Sequence, residues 1–471
     1  VVFAAAVWVP ALWLDESTTI VLIRRSWSEL LAVGVQTDPA LLPYYLLVKP
    51  VLGLGGEMWT VRLVSVVAAA VCVGGVLWFA RRALGFRVGW VAAALVMALP
   101  VTSLYAQQAR PQALALAGVT LVAGTWWRAG PEDAGRRWWA AYAAAFAFTV
   151  LANALAFVIL LAPLVASVAL PAGRRRPVLL RTAAIAAGVV AVLSPYLYLV
   201  LTRAKGVASP RPVAPDIVWE LVGHPLGGGV VAGVLLAGAS AGAVLLLRTA
   251  RTRVAGGLVA SWAFLPSVAL VLLALGGRPV LVPRYGVITM PALAILLAVL
   301  VVRVGAAAAT RVGSDAVARA VPVGAVTAVA LVLLPQASAV RAPDGHGEDA
   351  RPTLAALAAE PAGLPVVVTR WILMPTLQAY EPEVVSTRMP QVGDPAPLGA
   401  LVPERRPPAE AADDLAAADS VLLLARYTPT SEVPFPASYL PPGLKGRRCV
   451  PTVLATSTGW MLERLDCPPH A

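Results

Sequence analysis

Of the 471 residues, 59% are hydrophobic and only 13% are charged, and the mean hydropathy is +0.77. A soluble domain carries about 25% charged residues, so the composition excludes a soluble enzyme and marks an integral membrane protein. The net charge of +12 does not point to nucleic acid: residues 1–340 carry 26 Lys and Arg against 10 Asp and Glu, and residues 341–471 carry 11 against 15. The cationic excess lies in short clusters between apolar runs, where topology signals sit.

The chain opens with Val1–Leu12, an apolar stretch short for a span, which reads as the end of a first transmembrane helix. A signal-peptide remnant is the other reading, but no small-residue cleavage site precedes Asp15. Leu14-Asp15-Glu16-Ser17-Thr18-Thr19 then places two adjacent carboxylates at the outer end of that run. Charge at a membrane boundary is costly and is kept for function, which makes Asp15 a candidate general base. The plainer reading is a cap for the next helix, since Asp, Ser and Thr all cap well.

Within the long connection 13–60, Ser26-Trp27-Ser28-Glu29-Leu30-Leu31 predicts an amphipathic helix with Ser26 as its cap and Trp27 at the membrane interface. Asp38, the Tyr44-Tyr45 pair, Lys49 and Glu57 follow. A connection of this length usually carries a function.

Apolar runs of spanning length are predicted near 63–80, 89–104, 112–127, 139–152, 154–171, 183–201, 228–247, 254–276, 285–303 and 320–340. With the partial first helix they make about eleven spans. If Asp15 lies outside, the inner loops hold 16 of the 26 cations of residues 1–340 and only Glu132, Asp133 and Asp315 of its acids. That arrangement satisfies the positive-inside rule. It places the 13–60 and 202–226 loops and the C-terminal region outside a plasma membrane.

After residue 340 Pro and acidic residues increase. Val366-Val367-Val368 and Val421-Leu422-Leu423-Leu424 alternate with Ala/Glu-rich segments, predicting a C-terminal extracytoplasmic α/β domain over 341–471. No catalytic motif is evident there. Cys449 and Cys467 are candidates for a disulfide on the oxidising side, and Cys72 reads as an inert core residue. No CxxC motif or His/Cys cluster occurs, and three His in the whole chain argue against a zinc site.

Polar groups predicted to face outward recur at four places: Asp15-Glu16; Asp38 to Lys49; Tyr105-Ala106-Gln107-Gln108-Ala109-Arg110-Pro111; and Arg278 with Arg284-Tyr285. A base with several cations on one membrane face suits transfer from a lipid phosphate. The cations hold the phosphate as leaving group while a carboxylate deprotonates an acceptor hydroxyl. Each residue has a plainer role. Lys49 and Arg284 can snorkel to headgroups, Tyr44, Tyr45 and Tyr105 can form an aromatic belt, and His224 can be an ordinary loop residue. Asp216 and Glu220 are a weaker second carboxylate pair.

The pieces LWLDEST, DPALLPYYLLVKPVLGLGGEMWTVRLVSVVAA, YAQQARPQAL and VPRYGVITMPALAILLA resemble, in their order, the GT-C superfamily of polytopic glycosyltransferases. The chain is similar to the glycosyltransferase family 39 / protein-mannosyltransferase-like members of actinobacterial type. The resemblance covers roughly residues 1–125 and 278–300. It implies an inverting transferase that takes a sugar, mannose or arabinose, from a polyprenyl-phosphate donor to a cell-envelope glycan, glycolipid or protein. It implies Asp15 as base, with Glu16 helping to bind acceptor or donor. Lys49, Arg110 and Arg284 would lie at the donor phosphate, with Asp38, Tyr44, Tyr45, Gln108 and Tyr285 binding substrate, and no metal or other cofactor. Two departures stand out: Leu41 and Leu42 precede Pro43 where relatives often have His or Pro, and Gln108 replaces a carboxylate.

The reading is therefore an all-helical polytopic membrane domain over 1–340, with about eleven transmembrane helices and the first truncated, followed by the α/β domain. The competing class is a non-catalytic transporter or envelope-assembly scaffold. A transporter favours ionisable groups at mid-membrane depth and internal repeats, and neither is seen here.

Overall fold

The computed structural model of the chain describes residues 2–203, 213–278, 280–392, 400, 403, 406, 408–426, 444 and 447–467. Two compact units interleave along the sequence. One comprises Val1–Ala5, Asp38–Tyr44 and Val61–Ala339, the other Ala6–Thr37, Tyr45–Thr60 and Val340–Ala471.

The start of the chain departs from the expected truncated helix. Residues 2–10 form turns and bends, Ala6 has φ of 61°, and the first helix begins only at Leu14. Pro10 lacks an amide and crowds the preceding turn, which disfavours a helix there. The 13–60 connection is mostly helical: α1 (Leu14–Arg24), α2 (Trp27–Gln36) and α3 (Leu42–Gly55). The start of α2 is as the sequence predicts. Ser26 accepts from the Glu29 amide at 3.3 Å while the Glu29 carboxylate accepts from the Ser26 amide at 2.9 Å, a reciprocal capping box.

The helical unit runs through α4 (Arg62–Leu84), α5 (Phe86–Ala98), α6 (Pro100–Ala106), α7 (Gln112–Ala129), α8 (Arg136–Ala152), α9 (Leu161–Val168), α10 (Ala172–Val192) and α11 (Ser194–Arg203). It continues with α12 (Pro215–Gly223), α13 (Gly229–Arg248), α14 (Arg253–Leu275), α15 (Pro283–Gly286), α16 (Met290–Val312) and α17 (Asp315–Ala339). Small residues let these helices approach closely. A Cβ on Gly75 would lie 2.6 Å from Thr120 of α7, and one on Gly242 would lie 2.0 Å from the Leu296 carbonyl of α16.

The apolar helices make the chain a multi-pass membrane protein. Among the described residues five helical stretches are long and apolar enough to cross a membrane, or seven if α5–α6, bent by 66°, and α10–α11, bent by 64°, each count as one. The sequence led us to expect eleven. The shortfall lies at the N-terminus and in 112–168, where helices form as predicted but are shorter or more polar. Among these, α7 begins at Gln112 and ends in Trp126-Trp127-Arg128, while α8 opens on Arg136-Arg137.

The C-terminal part of the other unit carries α18 (Arg351–Ala359), β1 (Val366–Val368), α19 (Met374–Tyr380), α20 (Pro382–Thr387), α21 (Pro408–Ala416), β2 (Ser420–Arg426), β3 (Val450–Ser457) and β4 (Trp460–Asp466). The sheet order is β1-β2-β4-β3, with β1 parallel to β2 and the other pairs antiparallel. The apolar runs at 366 and 421 are strands because both faces of the sheet are covered. Val366, Val368, Leu422 and Leu424 enter one core, while Val367, Val421 and Leu423 enter a second. A disulfide joins Cys449, just before β3, to Cys467, just after β4, and Cys72 is a buried free thiol.

Candidate active site

The first turn of α1 carries Asp15 and Glu16, and acids there are favoured by the helix dipole and the free amides of the first turn. Successive helical side chains diverge by about 100°, and here the two carboxylates part company. Asp15 stays half-open, whereas Glu16 has no exposed surface. His346 Nδ1 donates to Glu16 Oε2 at 3.0 Å, and neither side chain is exposed. Glu348 Oε2 accepts from the Leu14 amide at 3.2 Å, and its other oxygen accepts from Arg426 of β2 at 2.8 Å. Burial raises the pKa of the Glu348 carboxyl against the lowering pull of Arg426 and the Leu14 amide, and the charge of Asp15 adds to the rise.

Glu16, expected at the substrate, is thus placed inside the fold against His346. Lys49, expected at the donor phosphate, has partners at the end of α1. Its ammonium donates to the Ile23 carbonyl at 2.7 Å and to the Arg25 carbonyl, and lies 5.1 Å from the Trp27 ring centroid. It closes the C-terminal end of α1, where carbonyls lack intrahelical partners and a cation is favoured. Burial lowers its pKa, and Glu29 opposes that shift. Tyr45 is fully enclosed.

In the helical unit the end of α6, the turn His224–Leu226 and α15 form a second cluster. The Tyr105 hydroxyl and His224 Nε2 share a hydrogen bond of 3.1 Å, with the rings edge to face. The Arg284 guanidinium lies 5.7 Å from the Tyr285 ring. Arg284 and Tyr285 are both half-buried. Burial lowers the His224 pKa, with Glu220 acting the other way.

Gln108 and Arg110 are buried in the turn after α6, where Ser65 of α4 donates to the Gln108 carbonyl at 2.6 Å and to the Arg110 carbonyl at 3.3 Å. Gln107 donates to the Ala5 carbonyl at 2.8 Å. Tyr44 is also buried; Asp38 is half-buried, and the Tyr196 hydroxyl donates to the Ala40 carbonyl at 3.3 Å. Beside α12 an apolar groove of about 510 Å³ is lined by Pro215, Val218, Trp219 and Leu236 among others. Among the described residues no three His, Cys, Asp or Glu side chains gather as metal ligands do.

This geometry has relatives. The crystal structure of ArnT from Cupriavidus metallidurans in the apo state superposes with a TM-score of 0.59 at 17% identity, covering 98% of this chain and 95% of that one. ArnT from the same organism bound to undecaprenyl phosphate matches with a TM-score of 0.58 at 17% identity, covering 98% and 96%. The chain has the fold of these two ArnT structures. The model of the dolichyl-phosphate-mannose-protein mannosyltransferase family matches residues 38–199, roughly a third of the chain. No curated protein matches at the sequence level.

Sequence reasoning missed His346, Glu348 and Arg426, and it took His224 for a loop residue. The available signal was the run Asp344-Gly345-His346-Gly347-Glu348-Asp349, polar groups set between glycines directly after the last apolar run.

Proposed function

We propose that the chain is an inverting glycosyltransferase that takes a sugar from a polyprenyl phosphate and places it on a hydroxyl of an envelope glycan, glycolipid or protein outside the plasma membrane. The observation that carries this reading is Asp15 itself, a half-open carboxylate on an anchored helix turn, in a chain with the GT-C fold. Asp15 takes the acceptor proton as the acceptor oxygen bonds to the anomeric carbon. The bond from that carbon to the phosphate oxygen breaks, and the polyprenyl phosphate leaves. Within the helical unit, Arg284, beside Tyr105 and His224, and Arg110 are the cations suited to a phosphate charge. The apolar groove along α12 suits a prenyl chain. The match to ArnT bound to undecaprenyl phosphate supports a lipid phosphate of this class.

Mannose and arabinose are the donor sugars to test. Full-length protein is incubated with radiolabelled polyprenyl-phosphate mannose, and separately with polyprenyl-phosphate arabinose, in envelope extract. Wild type transfers label from one donor, and Asp15→Asn loses that transfer by about 10²-fold or more. Equal transfer by both proteins removes Asp15 as base.

A further inference from the structure

We infer that His346, acting through Glu16, is a positioning residue: it fixes the rotation of the first turn of α1 and so the direction of Asp15. The inference deepens the proposed function and rests on Asp15 as the base. Asp15 is bracketed by residues held from one distant stretch. The Ala11 amide donates to the Pro343 carbonyl at 2.7 Å, the Leu14 amide to Glu348, His346 to Glu16, and Arg351 to the Val9 carbonyl at 3.0 Å. Glu348 is itself tied to Arg426 on β2.

The first turn of a helix lacks backbone partners for its amides and frays readily. Here one such amide is capped by Glu348, and the turn cannot roll without dragging the Glu16 carboxylate off His346. Both members of that pair are fully enclosed, so separating them inside the fold is costly. With Glu16 pinned inward, the next side chain back along the helix points about 100° away, where Asp15 is half-open. A buried pair that only added stability would leave the turnover of folded enzyme untouched. A pair that aims the base changes it, because a displacement near 1 Å costs about 10²-fold in rate.

The test uses the full chain in lipid nanodiscs, comparing wild type with His346→Ala, His346→Asn, Glu16→Ala and the double alanine variant. Two readouts are taken: hydrogen exchange of the amides at 14–17, and kcat and KM with polyprenyl-phosphate mannose or arabinose, whichever wild type uses. His346→Ala speeds exchange at 14–17, leaves α13 and α14 unchanged, and lowers kcat 10- to 100-fold at unaltered KM. His346→Asn, whose side-chain amide can donate from near the Nδ1 position, restores most of both. The double variant is no worse than either single one, as expected for one shared interaction. Unchanged exchange in folded His346→Ala overturns the inference, and so does faster exchange with unchanged kcat. If wild type transfers neither sugar, the transferase reading fails on its own account, and the exchange comparison still decides whether His346 holds the turn.

Discussion

The Lys49 ammonium donates to the Ile23 main-chain carbonyl at 2.7 Å, so a cation whose sequence context suggests a donor phosphate is engaged inside the fold, at the end of α1. Lys49→Met removes that closure. The expected result is a loss of about 1–2 kcal/mol, the low side for hydrogen bonds from a charged donor, because the side chain is partly exposed. Affinity of the folded protein for undecaprenyl phosphate stays within twofold. Thermal unfolding and a lipid-phosphate titration check the two parts separately. A tenfold weaker titration at unchanged stability restores Lys49 to the phosphate.

Gly286 ends the short helix that carries Arg284 and Tyr285, and a Cβ there would sit 2.3 Å from the Leu221 carbonyl. A main-chain oxygen cannot swing aside as a side chain does. Gly286→Ala therefore pushes α15 from α12, costs about 1–3 kcal/mol as overpacking does, and weakens lipid-phosphate binding because Arg284 moves with the helix. Unfolding midpoint and titration should both fall. An unchanged midpoint shows that the two elements give way easily.

Glu463 on β4 is 2% exposed, and its Oε2 has no hydrogen-bond partner among the described residues. Burial raises its pKa. The folded value thus lies above the unfolded one, near 4.3, so its contribution to stability is complete below that pH and fades as pH rises through the folded value. Glu463→Gln should flatten this dependence. At pH 8 the variant is expected to exceed wild type by on the order of 1 kcal/mol, and at pH 4 the two converge. Parallel unfolding curves across that range count against it.

Cys449 and Cys467 are 18 positions apart in sequence and flank the β3–β4 hairpin. Closing a loop of this length is worth about 3 kcal/mol on the chain-entropy account. Arg447 adds to the same corner, donating to the Cys467 carbonyl at 3.0 Å and to the Leu415, Ala416 and Ala418 carbonyls. Replacing both cysteines by serine should lower the unfolding midpoint of the sheet while far-ultraviolet dichroism at low temperature stays the same. Equal midpoints with and without reductant run against this expectation.

What could be read from the chain was what leaves a local mark. The Ser26–Glu29 box declares itself in four residues, the strands at 366 and 421 in runs of apolar side chains, and the long spans in their hydropathy. Side-chain partnerships across hundreds of residues leave no such mark. Lys49 looks the same in sequence whether it faces a phosphate or the end of α1, and only the fold of 14–25 decides. Glu16 resembles Asp15 in every local respect, and a rotation of one position sends it inward to His346. His224 carries no motif; its bond to Tyr105 depends on α6 ending beside the turn after α12.

The Glu16–His346 contact joins residues 330 positions apart, and this separates its two halves in time as well as in sequence. At about 5–20 residues per second of synthesis, His346 emerges roughly 15–65 s after Glu16. Throughout that interval residues 14–24 lack the groups that enclose Glu16 in the folded chain. A transcript cut short before residue 346 leaves that turn unguarded for good.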